Sequence, residues 1–176
     1  GVTLTDPQGD DKGPGTYTYP TDAVYKPSSF DLLELKVVPK GDQVEFQVKV
    51  AARIEDPWDS KAWGGNGFSV QMAFIHIDTD HKAGSGVVDG IPGTNVRFSP
   101  DEAWDKVVII SPQGPTRVNS EIELKAAQWK DRIIVPRITR ASGKQLIAVV
   151  DVSALGGAPS VPPRSGRADD FNWSRN

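Results

Sequence analysis

The sequence predicts an all-β fold, an antiparallel two-sheet β-sandwich of the immunoglobulin or jelly-roll kind. Three observations carry that prediction. About seven or eight short segments rich in Val, Ile and Phe are separated by Gly, Pro, Asn and Asp turn signals. One of them, Gln43 to Ile54, alternates cleanly: Val44, Phe46, Val48 and Val50 fall on one face, and Gln43, Glu45, Gln47 and Lys49 on the other. No long stretch repeats its apolar residues with the helical period.

In chain order, residues 6–20 hold prolines, glycines and aspartates with almost no aliphatic side chains, so they read as a loop. Tyr17-Thr-Tyr19 within them reads equally as a short edge strand or as aromatic rings contributing to a ligand face. Phe30 to Val38 reads as a strand and pairs with Gln43 to Ile54 across the turn Pro39-Lys-Gly-Asp42. Asp56 to Gly67 is a loop by composition. Phe68 to Asp78 is apolar on both faces, as a central strand covered on each side requires. Residues 81–98 return to glycine and asparagine, and Ser99-Pro-Asp-Glu102 reads as the cap and first turn of a short helix. Val107 to Ser111, Arg117 to Leu124, Arg132 to Thr139 and Gln145 to Val152 are further candidate strands, the last preceded by the turn Ala141-Ser-Gly-Lys144. Glu121 to Lys130 has an alternative reading as a helix of two or three turns. Pro136 marks an edge or a bulge. The expected organisation is a single domain over residues 1–176, with the acidic loop 6–20 and the tail 156–176, bearing Phe171 and Trp173, packed on it.

The 176 residues carry a net charge of −3 and contain no cysteine. Disulfides, thiolate metal sites and cysteine nucleophiles are thereby excluded. Acidic and basic residues are intermixed, leaving no wide positive surface for phosphates, so neither nucleic acid nor an anionic membrane is the expected partner. No apolar run is long enough to span a membrane, and none with a basic flank marks a signal peptide. The acids are 17 Asp against 6 Glu. Short carboxylates beside glycine suit tight turns and hard-cation loops better than helices.

Asp6, Asp10 and Asp11 in the first loop and Asp78 and Asp80 at the end of the central strand are the candidate metal ligands, and Ca²⁺ is the expected ion. Calcium takes about six to eight hard oxygens, more than either loop supplies alone. In a sandwich, the N-terminal loop can fold over a strand end and complete one shell. The spacing is not that of the twelve-residue helix–loop–helix site. The competing reading makes the same aspartates turn formers and solvated charges.

Trp58 and Trp63, in a glycine-bounded loop, are the candidate ligand-binding residues, because an exposed indole offers a flat face to a sugar ring. Trp104 and Trp129, flanked by apolar residues, read as core. Met72 and His76 fall on one face of a strand and are a known type of axial pair for haem, but positions four apart on a strand are about 13 Å apart. Packing is the ordinary role for both. His81 lies beside the proposed cation, which prefers oxygen. No nucleophile elbow, zinc-protease helix or phosphate loop is present. With the best acids assigned to a cation, little remains for a glycosidase pair, so no enzymatic activity is expected.

The segment Asp6-Pro-Gln-Gly-Asp-Asp-Lys-Gly-Pro-Gly-Thr-Tyr-Thr-Tyr-Pro20, followed by Phe30-Asp-Leu-Leu33, resembles the opening of the C-terminal domains of glucodextranases and amylopullulanase-type glucan hydrolases, related to the DOMON β-sandwiches. The likeness continues through Asp56-Pro-Trp58, Gln71, Ile77-Asp-Thr-Asp-His-Lys-Ala-Gly-Ser-Gly86, Pro92-Gly-Thr-Asn-Val96, Ala103-Trp104 and Val135-Pro136. Residues 61–66 and 169–174 depart from the pattern. The resemblance implies an antiparallel β-sandwich that binds calcium at the two aspartate loops. It further implies an extracellular setting, secreted or at the cell surface, and linkage to a catalytic or anchoring domain. The implied role is non-catalytic, with a polysaccharide or cell-surface component as partner. Three functions remain open at this point: a glycan-binding module, a surface-assembly or adhesion module, and a haem-binding electron carrier.

Overall fold

The computed structural model describes residues 1–12 and 18–157. Two sheets face each other across one core. The larger has strand order β1-β2-β3-β8-β7, with β1 Val2–Thr5, β2 Leu32–Lys40, β3 Gln43–Val50, β7 Ile138–Ser142 and β8 Gln145–Asp151. The smaller has order β4-β5-β6, with β4 Ala73–Ile77, β5 Lys106–Ile110 and β6 Ile133–Ile134.

The alternation in β3 does what its pattern requires. Val44, Phe46, Val48 and Val50 join the main core with Leu35, Val37, Leu146 and Val150 from the same sheet and Ile75, Val108 and Ile110 from the other. On the opposite face Glu45 is nearly covered, because Lys40 and Gln47 reach over it with bonds of 2.7 and 2.6 Å. Lys40 pairs with Gln43, so the hairpin turn is the two residues Gly41-Asp42. Gly41 takes φ +66°, the glycine-first geometry that matches the twist of paired strands. β2 therefore runs on through Pro39, which lies beyond the Val2–Val37 pair that ends β1 and so withholds no ladder donor from it.

The smaller sheet is covered on both faces, as its apolar composition anticipates. Odd-numbered residues of β4 face the main core. Phe74 lies on the other face, in a second cluster with Ile91, Trp104, Val107, Ile109, Val118 and Ile122. Much of that outer layer comes from the long β4–β5 connection and from the helix α1, Pro115–Lys125.

Five sequence expectations change. Phe68 to Asp78, expected as a central strand, forms a strand only over Ala73–Ile77, and this β4 is an edge of the three-stranded sheet, covered on both faces by the two clusters. Arg117 to Leu124 is helical, not a strand: Pro115 opens the helix, Val118 and Ile122 bury one face four residues apart, and Glu121 pairs with Arg117 and Lys125 across single turns. Arg132 to Thr139 is two strands in different sheets, divided around Pro136. β5 and β6 are parallel, the one exception to an otherwise antiparallel ladder among the described residues. The edge strand lies at Val2–Thr5, whereas Tyr19 is outside any strand. Tyr17, Phe171 and Trp173 lie outside the described residues, as does the tail from residue 158 onward.

Candidate functional site

Three groups carry binding chemistry: an exposed aromatic pair and two sets of aspartates.

The aromatic pair stands on a loop fixed from beneath. Ser60, fully buried, gives its N–H to both oxygens of Asp56 at 2.9 and 3.0 Å and its hydroxyl to one of them at 2.8 Å, and its oxygen accepts the Gly67 N–H at 2.9 Å. Asn66 donates to the Ser111 and Gln113 carbonyls at 2.9 and 2.8 Å. On this base Trp58 and Trp63 remain 48% and 47% exposed. The Trp63 indole N–H donates to the Trp58 carbonyl at 3.1 Å, and Tyr25 meets the Trp58 ring edge-on with centroids 6.3 Å apart. A Cβ on Gly65 would stand 2.7 Å from the Trp63 ring and 2.6 Å from the Pro112 carbonyl, so this position must be bare for the indole to lie where it does. Trp104 is fully buried in the second core, with Trp129 edge-on at 6.0 Å. A separate cavity of about 260 Å³ opens between β7 and α1, lined by Ile109, Ser111, Gln113, Val118, Pro136 and Ile138 among others, without an aromatic ring for a sugar to stack on.

The first aspartate set lies at the end of β4. Asp78, Asp80 and Asp105 each present a carboxylate oxygen within 4.8 Å of the others. Antiparallel pairing of Ile77 with Lys106 puts the residue after β4 beside the residue before β5, which is how Asp105 enters. Local bonds hold all three. Asp78 Oδ1 accepts the Asp80 and His81 N–H groups at 3.2 and 2.8 Å, and Asp105 Oδ2 accepts the Thr79 N–H and hydroxyl, both at 2.8 Å. Asp80 accepts the Ser85 hydroxyl at 2.8 Å and the Lys82 N–H at 3.0 Å, and these two bonds hold its carboxyl below the usual range. Three hard oxygens on a solvent-facing loop are a donor set suited to a hard cation.

Asp6, Asp10 and Asp11 are not members of this set; the surroundings of Asp10 and Asp11 are those of a second carboxylate, Asp31. The Asp6 N–H bonds the Leu33 carbonyl at 2.9 Å and the Gly9 N–H bonds Asp31 Oδ2 at 2.9 Å, which ties the loop to the start of β2. Asp31 is fully buried, and burial, followed by the charges of Asp11 and Asp10, pushes its carboxyl up. Gln71 reaches the neighbouring Ser29 carbonyl at 3.1 Å, so the chain leading into β4 starts beside this loop. β4 then carries the chain away from it, and Gln71 to Asp78 spans roughly 20 Å at extended rise. The aspartates expected to meet in one shell thus stand as two groups at different ends of β4.

Sequence reasoning missed Asp31, Asp105 and Tyr25. Asp31 had a signal, a charge set between Phe30 and Leu32 in an apolar run. Asp105 is visible only once β4 is paired with β5.

His76 lies 5% exposed between Phe98 and Trp104, at centroid distances of 4.8 and 5.1 Å, with neither ring nitrogen hydrogen-bonded. Burial lowers its pKa to about 4. Met72 packs against the same outer cluster. Both side chains pack in the outer cluster.

A β-sandwich with exposed indoles on a braced loop is the architecture of a binding module. Residues 2–161 match the family described as the C-terminal binding module, SLH-like, of glucodextranase, and the chain belongs to that family. The family is a binding module and not a catalytic domain. No curated protein matches the chain. No helix among the described residues is long and apolar enough to cross a membrane.

Proposed function

We propose that this protein is a non-catalytic, extracellular carbohydrate-binding module that holds an α-glucan or cell-wall polysaccharide on Trp58 and Trp63 and uses Ca²⁺ to fix its loops. The observation that carries the reading is the pair of half-exposed indoles, joined by the Trp63 N–H to Trp58 carbonyl bond and seated on the Asp56–Ser60–Gly67 brace. Exposed indole faces suit stacking on a sugar ring, and a braced loop loses little entropy on binding. Calcium fits at Asp78, Asp80 and Asp105, where three carboxylates converge beside a glycine-bearing loop. The family assignment supports a role beside a linked glucan-active or anchoring domain.

Calorimetric titration against a panel of α-glucans and cell-wall polysaccharides tests it. One of them binds, and Trp63→Ala weakens that binding about tenfold or more, as removal of a central aromatic anchor does. Flat titrations across the panel, or unchanged affinity in Trp63→Ala, defeat the glycan reading. A surface-assembly role is favoured by one separate observation: among the described residues β7 is an edge strand that pairs only with β8 and presents Ile138, 47% exposed. Binding to an S-layer preparation that Ile138→Lys abolishes and Trp63→Ala leaves intact would select it.

A further inference from the structure

The geometry points to a second glycan subsite in the cavity between β7 and α1, where one sugar unit of the chain that stacks on Trp58 and Trp63 is held by hydrogen bonds. It deepens the glycan reading above and rests on it.

The cavity follows from the path of the chain. Residues 133–142 begin in the smaller sheet as β6, end in the larger as β7, and cross the edge of the sandwich at Pro136. The space of about 260 Å³ along that crossing has Thr139 on one side and Ser111 and Gln113, just past β5, on another, with Val118 and Ile138 as aliphatic surface. Much of the polar lining is unspent. The Thr139 hydroxyl and the Gln113 side-chain amide make no hydrogen bond among the described residues. Ser111, 4% exposed, accepts the Gln113 N–H at 3.1 Å, and its own proton has no acceptor among them. Asn66 uses its amide nitrogen on the Ser111 and Gln113 carbonyls, which leaves its Oδ1 to accept. Donors and acceptors with spare capacity beside aliphatic surface match a pyranose, which carries hydroxyls on its rim and C–H groups on its faces.

The cavity and the indoles share one wall. Gly65 abuts the Trp63 ring, and the next residue, Asn66, lines the cavity. The Asn66 N–H bonds the Pro112 carbonyl at 2.8 Å, and a Cβ on Gly114 would strike the Gly64 carbonyl. The loop that carries the indoles is thus fastened to the segment 111–114 that borders the cavity, and a glycan lying on Trp63 meets the cavity across the Gly65–Asn66 strip. Without a ring of its own the cavity contributes hydrogen bonds, while stacking belongs to the indoles. Two contacts on one chain make the second intramolecular, so the gain appears only with a ligand long enough to reach both.

Calorimetry of the full chain against the maltose and isomaltose series, from disaccharide to heptasaccharide, and against chito-oligosaccharides of the same lengths provides the test. In one series affinity rises about tenfold or more from the shortest member to the longest, beyond the statistical gain of repeated units. Thr139→Val and Gln113→Ala each weaken the longest member about fivefold, as loss of one hydrogen bond does, and leave the disaccharide unchanged. Trp63→Ala weakens every length. This dependence on length separates a subsite from a structural role, which would move all lengths together. Affinity independent of length overturns the subsite and leaves the indole reading standing, as does either variant keeping the full rise or weakening all lengths alike. Should Thr139→Val not fold, Gln113→Ala, on the loop before α1, decides. No binding of any oligosaccharide overturns the subsite, and flat titrations against the polysaccharides as well overturn the indole reading with it.

Discussion

Asp80 stands in solvent with both oxygens hydrogen-bonded by its own loop, whereas Asp31 is buried with one oxygen tied to Gly9 and the other bare among the described residues. The strand-end loop is therefore shaped by its own hydrogen bonds. The N-terminal loop instead carries a charge problem that its described atoms do not solve. The difference lies beneath the loops as well. The strand-end region is seated on an apolar layer that contains His76, Phe98 and Trp104, while the N-terminal loop is seated on a carboxylate. One region is held by packing and local bonds, and the other by the Asp6 N–H to Leu33 and Gly9 N–H to Asp31 bonds.

Acid should separate the two regions most sharply. His76 has a folded pKa of about 4 against an ordinary value of 6.5, because burial disfavours its charged form. Its contribution to stability is complete above pH 6.5 and is lost as the pH falls through about 4. The groups packed against the ring, Phe98, Trp104 and the cross-strand partner Val107, offer no counter-charge. The full loss is roughly 3 kcal/mol. Denaturant unfolding between about pH 7 and 5 should show wild type losing stability with a slope that His76→Leu lacks. Equal slopes would mean that the layer beneath the strand-end loop admits a proton freely.

A smaller effect comes from Gly86, which has φ +77° and whose Cβ would stand 2.8 Å from the Trp104 carbonyl. Gly86→Ala should cost about 2 kcal/mol or more by chemical denaturation, through strain and overpacking together. Gly84→Ala, at φ +77° with open space around the Cβ, should cost about 1 kcal/mol. If the two variants are equally stable, the close approach of the loop to Trp104 does not hold it in place.

The smallest change is local. Ser85→Ala removes the hydrogen bond that most lowers the Asp80 carboxyl, so its titration midpoint, followed by NMR, should rise toward the ordinary carboxylate value with global stability unchanged. An unmoved midpoint would show that the strand-end loop is not held by its own side chains.

The β2–β3 hairpin and β8 were legible because alternation and turn chemistry are local: every second residue of Gln43–Val50 is apolar, and Gly41 allows the turn. The exposure of Trp63 was legible from its glycine-bounded loop, whereas Trp58, after Pro57, read equally as a plug at a sandwich end until the structure left it 48% exposed. Arg117–Leu124 was misread because Val118 and Ile122 alone do not separate helix from strand; Pro115 and the Glu121 ion pairs, once in place, do. The split at Pro136 into strands of different sheets could not be seen from the segment, because it depends on which partner each half finds.

By itself the sequence determined an all-β sandwich, its principal hairpin and a surplus of short carboxylates on glycine-bearing loops. Those properties depend on neighbours within a few residues. The tertiary structure alone decided which carboxylates meet. Asp105 joins Asp78 and Asp80 through the pairing of β4 with β5, and Asp31 comes beneath the N-terminal loop through the Gly9 contact. Charges act through space, and the chain leaves the distances between remote residues open until the sheets have packed.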